Sequence, residues 1–227
     1  METPTKEIFD NASAIYSELG RVARVGVCPH SRNPWLYREF NDLMKQYDFN
    51  NRLLTGADGR QGVEWCWGGV MVPPVYDAVT AFTPMSLPAK GCFTIVKSGD
   101  VDLLLDWKGR EVMRADELRP SEATVTPVIF RRGDRWGIAS AKGEKVLAPA
   151  YDSIECAGNG FYFISLGGKW GLLDPFGHTV EPKFDSIEFD ADDNIAVTLD
   201  ARQGFIDAEG NFTEDADDAF YAFESFL

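Results

Sequence analysis

A mainly β fold of tandem antiparallel hairpins is what this sequence predicts, and three observations predict it. Turn glycines recur at a fixed step: Gly99, Gly133 and Gly167 are evenly spaced, Gly109, Gly143 and Gly177 keep the same step, and Gly210 comes one position early. Apolar runs of strand length flank them in FTIVKSGDVDLLLDWKG, VIFRRGDRWGIASAKG, FYFISLGGKWGLLDPFG and IAVTLDARQGFIDAEG. The composition supplies what short strands and tight turns need, with 21 Gly, 12 Pro and 13% aromatic residues. Self-similarity at such a period marks a repeat architecture, in which each unit buries its apolar face on the next.

Residues 1–60 read as a helical N-terminal cap. From Thr5 to Val25 the residues Ile8, Phe9, Ile15, Leu19 and Val22 fall roughly on one helical face. The run from Cys28 through Pro29, His30, Ser31 and Arg32 interrupts it. Asn33 then Pro34 reads as an N-cap and first helical position. A second helix follows from Trp35 to Tyr47, with Leu36, Phe40, Leu43 and Met44 at helical spacing. Such a cap shields the first repeat from solvent; a recognition element is the alternative use.

Residues 61–213 read as the repeat domain. Each unit runs strand, Gly turn, strand, second turn, and then a third element. The segment VEPKFDSI (180–187) matches LAPAYDSI (147–154) and VPPVYDAV (72–79). Proline removes a backbone donor and suits a sheet edge. The aromatic is expected to pack inward, and the Asp to accept turn amides.

Two units carry the fullest pattern: Lys169-Trp170-Gly171-Leu172-Leu173-Asp174 with Phe184-Asp185, and Arg135-Trp136-Gly137-Ile138 with Tyr151-Asp152. This pattern resembles the WG-repeat family of bacterial proteins, over roughly residues 63–213. The resemblance implies an all-β core, stacked as a curved solenoid or a propeller-like arc, that serves as an interaction scaffold. Other units depart from it. Asp102-Leu103 stands where Trp-Gly belongs, and Gln203-Gly204 keeps only the glycine. Trp67-Gly68 reaches Tyr76-Asp77 in a shorter step than the one from Trp136 to Tyr151. A residue that recurs once per unit serves stacking: Trp136 and Trp170 as rings between hairpins, Gly137 and Gly171 as points of close approach. A row of exposed Trp residues binding sugars or peptides is the alternative.

Charge is polarised along the chain. The whole carries 36 acidic against 22 basic residues, a net −14. Residues 184–227 hold 13 acidic side chains with Arg202 alone opposing them, which is −12 of that total. Residues 214–227 read as an acidic C-terminal capping helix. Thr213 can cap it, Glu214, Asp215, Asp217 and Asp218 suit its positive end, and Phe220, Phe223 and Leu227 line one side. Together with Asp190, Asp192 and Asp193, these four carboxylates also form a candidate docking surface for a basic protein partner.

The remaining patterns bound the chemistry. The acidic balance argues against nucleic acid. With no signal-peptide pattern and no apolar run long enough to span a bilayer, the expectation is a cytoplasmic protein with no membrane role. Cys28, Cys66, Cys92 and Cys156 are far apart and read as reduced thiols. Cys28 and His30 lie close, but no second ligand pair for zinc accompanies them. The acidic loop from Asp190 has Ile195 where a calcium loop needs Gly and Ala201 where it needs Glu. His178 occupies a turn position held elsewhere by Glu144 or Asn211. No hydrolase elbow, P-loop or zincin motif is present in the sequence. The expectation is therefore a non-enzymatic, cofactor-free, metal-free protein-binding repeat scaffold, of the immunity or toxin-inhibitor kind. The alternative is a small-ligand or carbohydrate binder or enzyme with a site on the concave face, near the aromatics Trp35, Trp65 and Trp67.

Overall fold

The computed structural model describes residues 1–24, 33–87, 89–121, 128–140, 142–158, 160–191, 194–207 and 209–214. Cys28, His30, Asp192, Asp193 and the whole expected C-terminal helix from Asp215 onward lie outside the described residues. The chain divides into two compact units. The first is Met1–Pro120 with Thr124–Thr126 and Ala141–Gly143; the second is Ser121–Ala123, Pro127–Ser140 and Glu144–Leu227.

The first unit opens with α1 (Lys6–Arg24) and α2 (Pro34–Gln46). Thr5 Oγ1 accepts the Ile8 amide at 3.3 Å and starts α1. Asn33 precedes α2 but makes no side-chain capping bond, contrary to the sequence expectation. Pro34 sets the first turn instead, since its φ is already helical. Helix α1 buries Phe9, Ala12, Ile15 and Leu19. Helix α2 buries no residue fully. Its Phe40, Leu43 and Met44 are half-buried against Phe9, Phe49, Cys66 and Leu87.

Two antiparallel meanders complete this unit. The first is β1 (Arg52–Thr55), β2 (Gln61–Glu64) and β3 (Val70–Tyr76), in the order β1-β2-β3. The second is β4 (Ala78–Phe82), β5 (Phe93–Ser98), β6 (Val101–Asp106) and β7 (Glu111–Ala115), in the order β4-β5-β6-β7. Sheet structure thus begins at Arg52, inside the segment expected as a helical cap. Val63, Val72, Val96, Leu103 and Leu105 form the core between these sheets. Strand β8 (Glu117–Pro120) ends the unit.

The second unit holds β9 (Val128–Arg132), β10 (Arg135–Ala139) and β11 (Lys145–Tyr151), then β12 (Ser153–Gly158), β13 (Phe161–Leu166), β14 (Lys169–Leu173) and β15 (Thr179–Phe184). It closes with β16 (Ser186–Phe189), β17 (Ile195–Leu199), β18 (Arg202–Ile206) and β19 (Phe212–Thr213). Each sheet is an antiparallel meander in chain order. One core joins Ile129, Ile138, Tyr151, Ile154 and Ile164, and another joins Phe161, Phe163, Phe184, Ile195 and Ile206.

The register explains the Trp-Gly pair. Trp136 lies opposite Tyr151 and Trp170 opposite Phe184, and a bulge follows immediately in each ladder. At that bulge the neighbouring strand crowds the glycine. A Cβ on Gly171 would sit 2.7 Å from Pro182 N and 2.8 Å from Glu181 C, with Val180 O nearer still. A Cβ on Gly137 would sit 2.7 Å from Leu147 O and 2.8 Å from the Phe130 ring. The proline of β15 belongs to this device, because the bulged strand releases the ladder bond that proline cannot make.

The same register corrects the sequence reading of the first unit. Gln61, not Trp67, lies opposite Tyr76, again with a bulge after it, and a Cβ on Gly62 would meet Pro73 C at 2.6 Å. Trp67-Gly68 instead belongs to a tight turn in which the Gly68 amide donates to Trp65 O at 2.8 Å. The regular spacing is thereby restored, since the step from Gln61 to Tyr76 equals the step from Trp136 to Tyr151. In β6 the ladder runs regularly through Asp102–Ala115, Leu103–Arg114 and Leu104–Met113. The register shift comes only between Leu104 and Leu105, so Leu103 fits where the other units need glycine. Where Trp is lost, a polar side chain accepts an amide instead: Gln61 Oε1 takes the Val79 amide at 2.8 Å, and Asp102 Oδ2 takes the Leu118 amide at 2.9 Å.

One aspartate joins each sheet to the next. Asp77, Asp152 and Asp185 stand alone between the last strand of one sheet and the first strand of the following one. Each accepts a turn amide from that following sheet: Asp77 from Gly99 at 2.7 Å, Asp152 from Gly167 at 2.7 Å, Asp185 from Asp200 at 2.9 Å. Asp152 also pairs with Arg135, and Asp185 with Lys169. The basic residue before Trp therefore fixes the aspartate that anchors the next unit.

Candidate functional site

The last sheet, β16–β19, presents a groove of about 310 Å³. Its residues follow from strand alternation. Ile187, Val197 and Ile206 point into the core, so Glu188, Ala196, Thr198, Gln203 and Phe205 line the other face. Phe205 is half-buried on this face, beside Ala196 and opposite Thr213. Glu188, Asp190 and Glu214 stand at the rim. The result is an apolar floor with an acidic border.

These rim residues differ in how they are held. Asp190 accepts the Asn194 amide at 2.9 Å and its side-chain nitrogen at 3.0 Å, so its carboxylate shapes a turn. The same turn recurs at Asp106, Asp174 and Asp207, each accepting amides two and four residues on. Glu214 is exposed and lies 3.5 Å from Arg202. Glu188 is exposed, and its carboxylate has no partner among the described residues. Of the seven acidic residues singled out in the sequence, the structure brings Asp190 and Glu214 to this groove. Asp192, Asp193, Asp215, Asp217 and Asp218 lie outside the described residues. Glu188 escaped sequence reading. Its outward direction depends on the register Glu188–Ala196–Phe205, which only the pairing reveals.

Local fields at the turns are strong. Burial pushes Asp106 up, but Arg110 and the Arg110 and Lys108 amides outweigh it and hold the carboxyl below its ordinary range. Asp185 is lowered chiefly by Lys169, and Asp207 chiefly by the Asn211 amide. These carboxylates are thus consumed by structure.

A second notch of about 300 Å³ has a floor of Leu172, Val180 and Ile206. His178 and Glu209 flank it, and His178 Nδ1 lies 2.8 Å from Asp174 Oδ2. Arg110 and Asn211 bond their turn aspartates from the equivalent position, so this His–Asp pair is the local form of a repeated turn. No cluster of three His, Cys, Asp or Glu side chains suited to a metal occurs among the described residues. Of the aromatics proposed for a ligand site, Trp65 and Trp67 are packed against protein. Trp65 is buried, stacked on Trp67 at 5.0 Å, and Phe9 covers Trp67 at 4.2 Å. Trp35 is exposed, on α2.

No curated protein matches the chain. Among solved structures it is similar to BamB from Moraxella catarrhalis, at 12% identity and a TM-score of 0.35, over 69% of this chain and 57% of BamB. The chain thus spans less than two thirds of that protein's length. The cytoplasmic expectation is withdrawn, since this likeness gives it no support. Cys66 and Cys92 are buried and Cys156 is half-buried, and no helix among the described residues is long and apolar enough to cross a membrane. The family comparison falls on the two full Trp-Gly units: residues 136–170 match the WG containing repeat, and the chain carries that repeat there.

Proposed function

We propose that this chain is a non-enzymatic protein-binding repeat scaffold whose acidic end docks a basic protein partner. The observation that supports this most is the groove on β16–β19, where Glu188, Asp190 and Glu214 border Phe205. An apolar floor supplies burial, and an acidic rim steers and selects a cationic partner. Asp192, Asp193, Asp215, Asp217 and Asp218 add charge on either side of it in sequence. An inhibitor or immunity-type role against a basic toxin is the specific form this reading takes, motivated by the charge polarity.

The test is a double variant, Glu188→Gln with Glu214→Gln, in affinity measurements against a purified basic partner over a salt series. Exposed charge pairs contribute about 0.2–1 kcal/mol each, so affinity at low salt should fall roughly 2- to 30-fold and the salt dependence should flatten. Unchanged affinity and salt slope would remove the groove from the docking surface.

A further inference from the structure

One notch in the first unit differs from its counterpart in charge. It has a volume of about 390 Å³ and is lined by Lys90, Phe93, Asp106, Trp107, Val112 and Lys142, all of which belong to that unit. The repeat builds it. Gly143 follows Lys142, and a Cβ there would sit 3.1 Å from Val112 Cγ1. Gly210 follows Glu209, and a Cβ there would sit 2.7 Å from Val180 Cγ2, in the notch flanked by His178 and Glu209. The two notches are the same construction, a turn glycine seated on a valine of the preceding repeat. Lys142 stands in one where Glu209 stands in the other.

Electrostatics sets them apart. Lys90 and Lys142 are exposed at the rim. Lys108 brings a third ammonium, 4.8 Å from the centre of the Trp107 ring. Among the described residues, Asp106 is the one carboxylate in the lining. Arg110 neutralises it at 2.5 Å, and the Lys108 and Arg110 amides donate to its other oxygen. The local field is therefore positive, on a chain whose net charge is −14.

The aromatic wall is a residue that the repeat does not ask for. Trp107 follows the turn aspartate Asp106, at a place where the other repeats have Ala57, Ala141, Pro175 and Ala208. Its ring is half-buried, packed partly on the core of Val72, Val96 and Leu105, and it lines the notch with Phe93 and Val112. A flat indole holds an aromatic body by stacking, and ammonium groups beside it hold a negative charge. The volume lies at the small end of ligand sites, which run from about 300 to 1,000 Å³.

We propose that this notch binds a small anion with a planar aromatic ring, the ring on Trp107 and the carboxylate or phosphate between Lys90 and Lys142. The site does not depend on the Glu188 groove, and it stands whether or not that groove docks a protein.

Calorimetric titration of the full chain with 2-naphthoate and with adenosine 5′-monophosphate tests it, with neutral 2-naphthamide as control. An anion of this size should bind with a Kd on the order of 1 mM, and the amide at least several-fold more weakly. Binding of either acid supports the site, and the tighter one identifies the anionic group. Lys90→Gln with Lys142→Gln changes two exposed side chains and should weaken the acids roughly 2- to 30-fold while leaving the amide unchanged. Trp107→Ala should abolish binding. Trp107→Phe keeps a ring against the core and should retain weakened binding, which separates loss of the wall from loss of the fold. In amide NMR spectra, the bound acid should shift Gly91, Phe93 and Trp107 and leave β12–β15 in place. No binding of either acid at about ten times that Kd, equal affinity for acid and amide, or parental affinity in the double lysine variant would each overturn the proposal.

Discussion

Replacing Gly171 by Ala is the sharpest test of how a repeat is built. The added methyl meets backbone on the facing strand, at 2.7 Å from Pro182 N and 2.8 Å from Glu181 C. Backbone cannot rotate aside as a side chain can. Strand β15 is pinned on both sides of the contact by Trp170–Phe184 and Leu172–Val180. Relief therefore requires moving β15 outward. Overpacking costs about 1–3 kcal/mol and a lost ladder bond about 1 more, so the expected loss is about 2–4 kcal/mol. At about 2–4 °C per kcal/mol for a chain of this size, the melting temperature should fall by about 4–16 °C. Thermal melts followed by circular dichroism give the total, and amide exchange on β14 and β15 locates it. Gly133→Ala is the control. It sits at φ 60° with nothing within 4 Å of the new methyl, so only left-handed strain of about 1–2 kcal/mol applies. A Gly171→Ala chain no less stable than Gly133→Ala would refute the argument that the bulge requires glycine.

Other outcomes follow from the same geometry. Asp200 and Ala201 hold φ of 51° and 66° where the preceding unit has Gly167 and Gly168. Ala201→Gly should therefore stabilise the chain by about 1 kcal/mol in urea denaturation. Phe9→Ala removes a ring that is 3% exposed and covers Trp67; it should cost about 3–5 kcal/mol and red-shift tryptophan emission. Burial raises the Cys66 thiol and pushes Cys92 up to about 11, so both should resist a thiol reagent until the chain unfolds. Asp106, Asp185 and Asp207 have folded pKa values below their unfolded ones. Their contribution is present above the unfolded value of about 3.9 and is lost as pH falls through the lower folded values. Denaturation midpoints should drop as pH falls below about 4, and Asp207→Asn should flatten that drop.

Much of the repeat was legible because its signals are local. Gly167 and Gly177 mark turns whatever surrounds them, and the helices begin and end within one or two residues of where Thr5 and Pro34 place them. The junction aspartates announced themselves by position alone, and Asp152 and Asp185 bond turn amides as a residue of that type should. What sequence misread was register. Trp67-Gly68 carries the right letters, yet the pairing strand is Gln61-Gly62, because the bulge requires the glycine and tolerates Gln in place of Trp. Leu103 looked like decay and is a fit, since its ladder stays in register through Leu104 and shifts only after it. Glu188 drew no attention because which carboxylates face the groove is set by pairing with Ala196 and, through it, Phe205, both on later strands.

The central claim is that the acidic end of a repeat scaffold holds a basic protein. A pull-down from native lysate tests it most directly, with the tagged chain and its Glu188→Gln, Glu214→Gln variant each washed at low and at high salt. The account predicts a basic protein kept by the parent chain at low salt, released at high salt and depleted from the variant. A neutral or acidic partner, or one held equally by both chains at both salts, would contradict it.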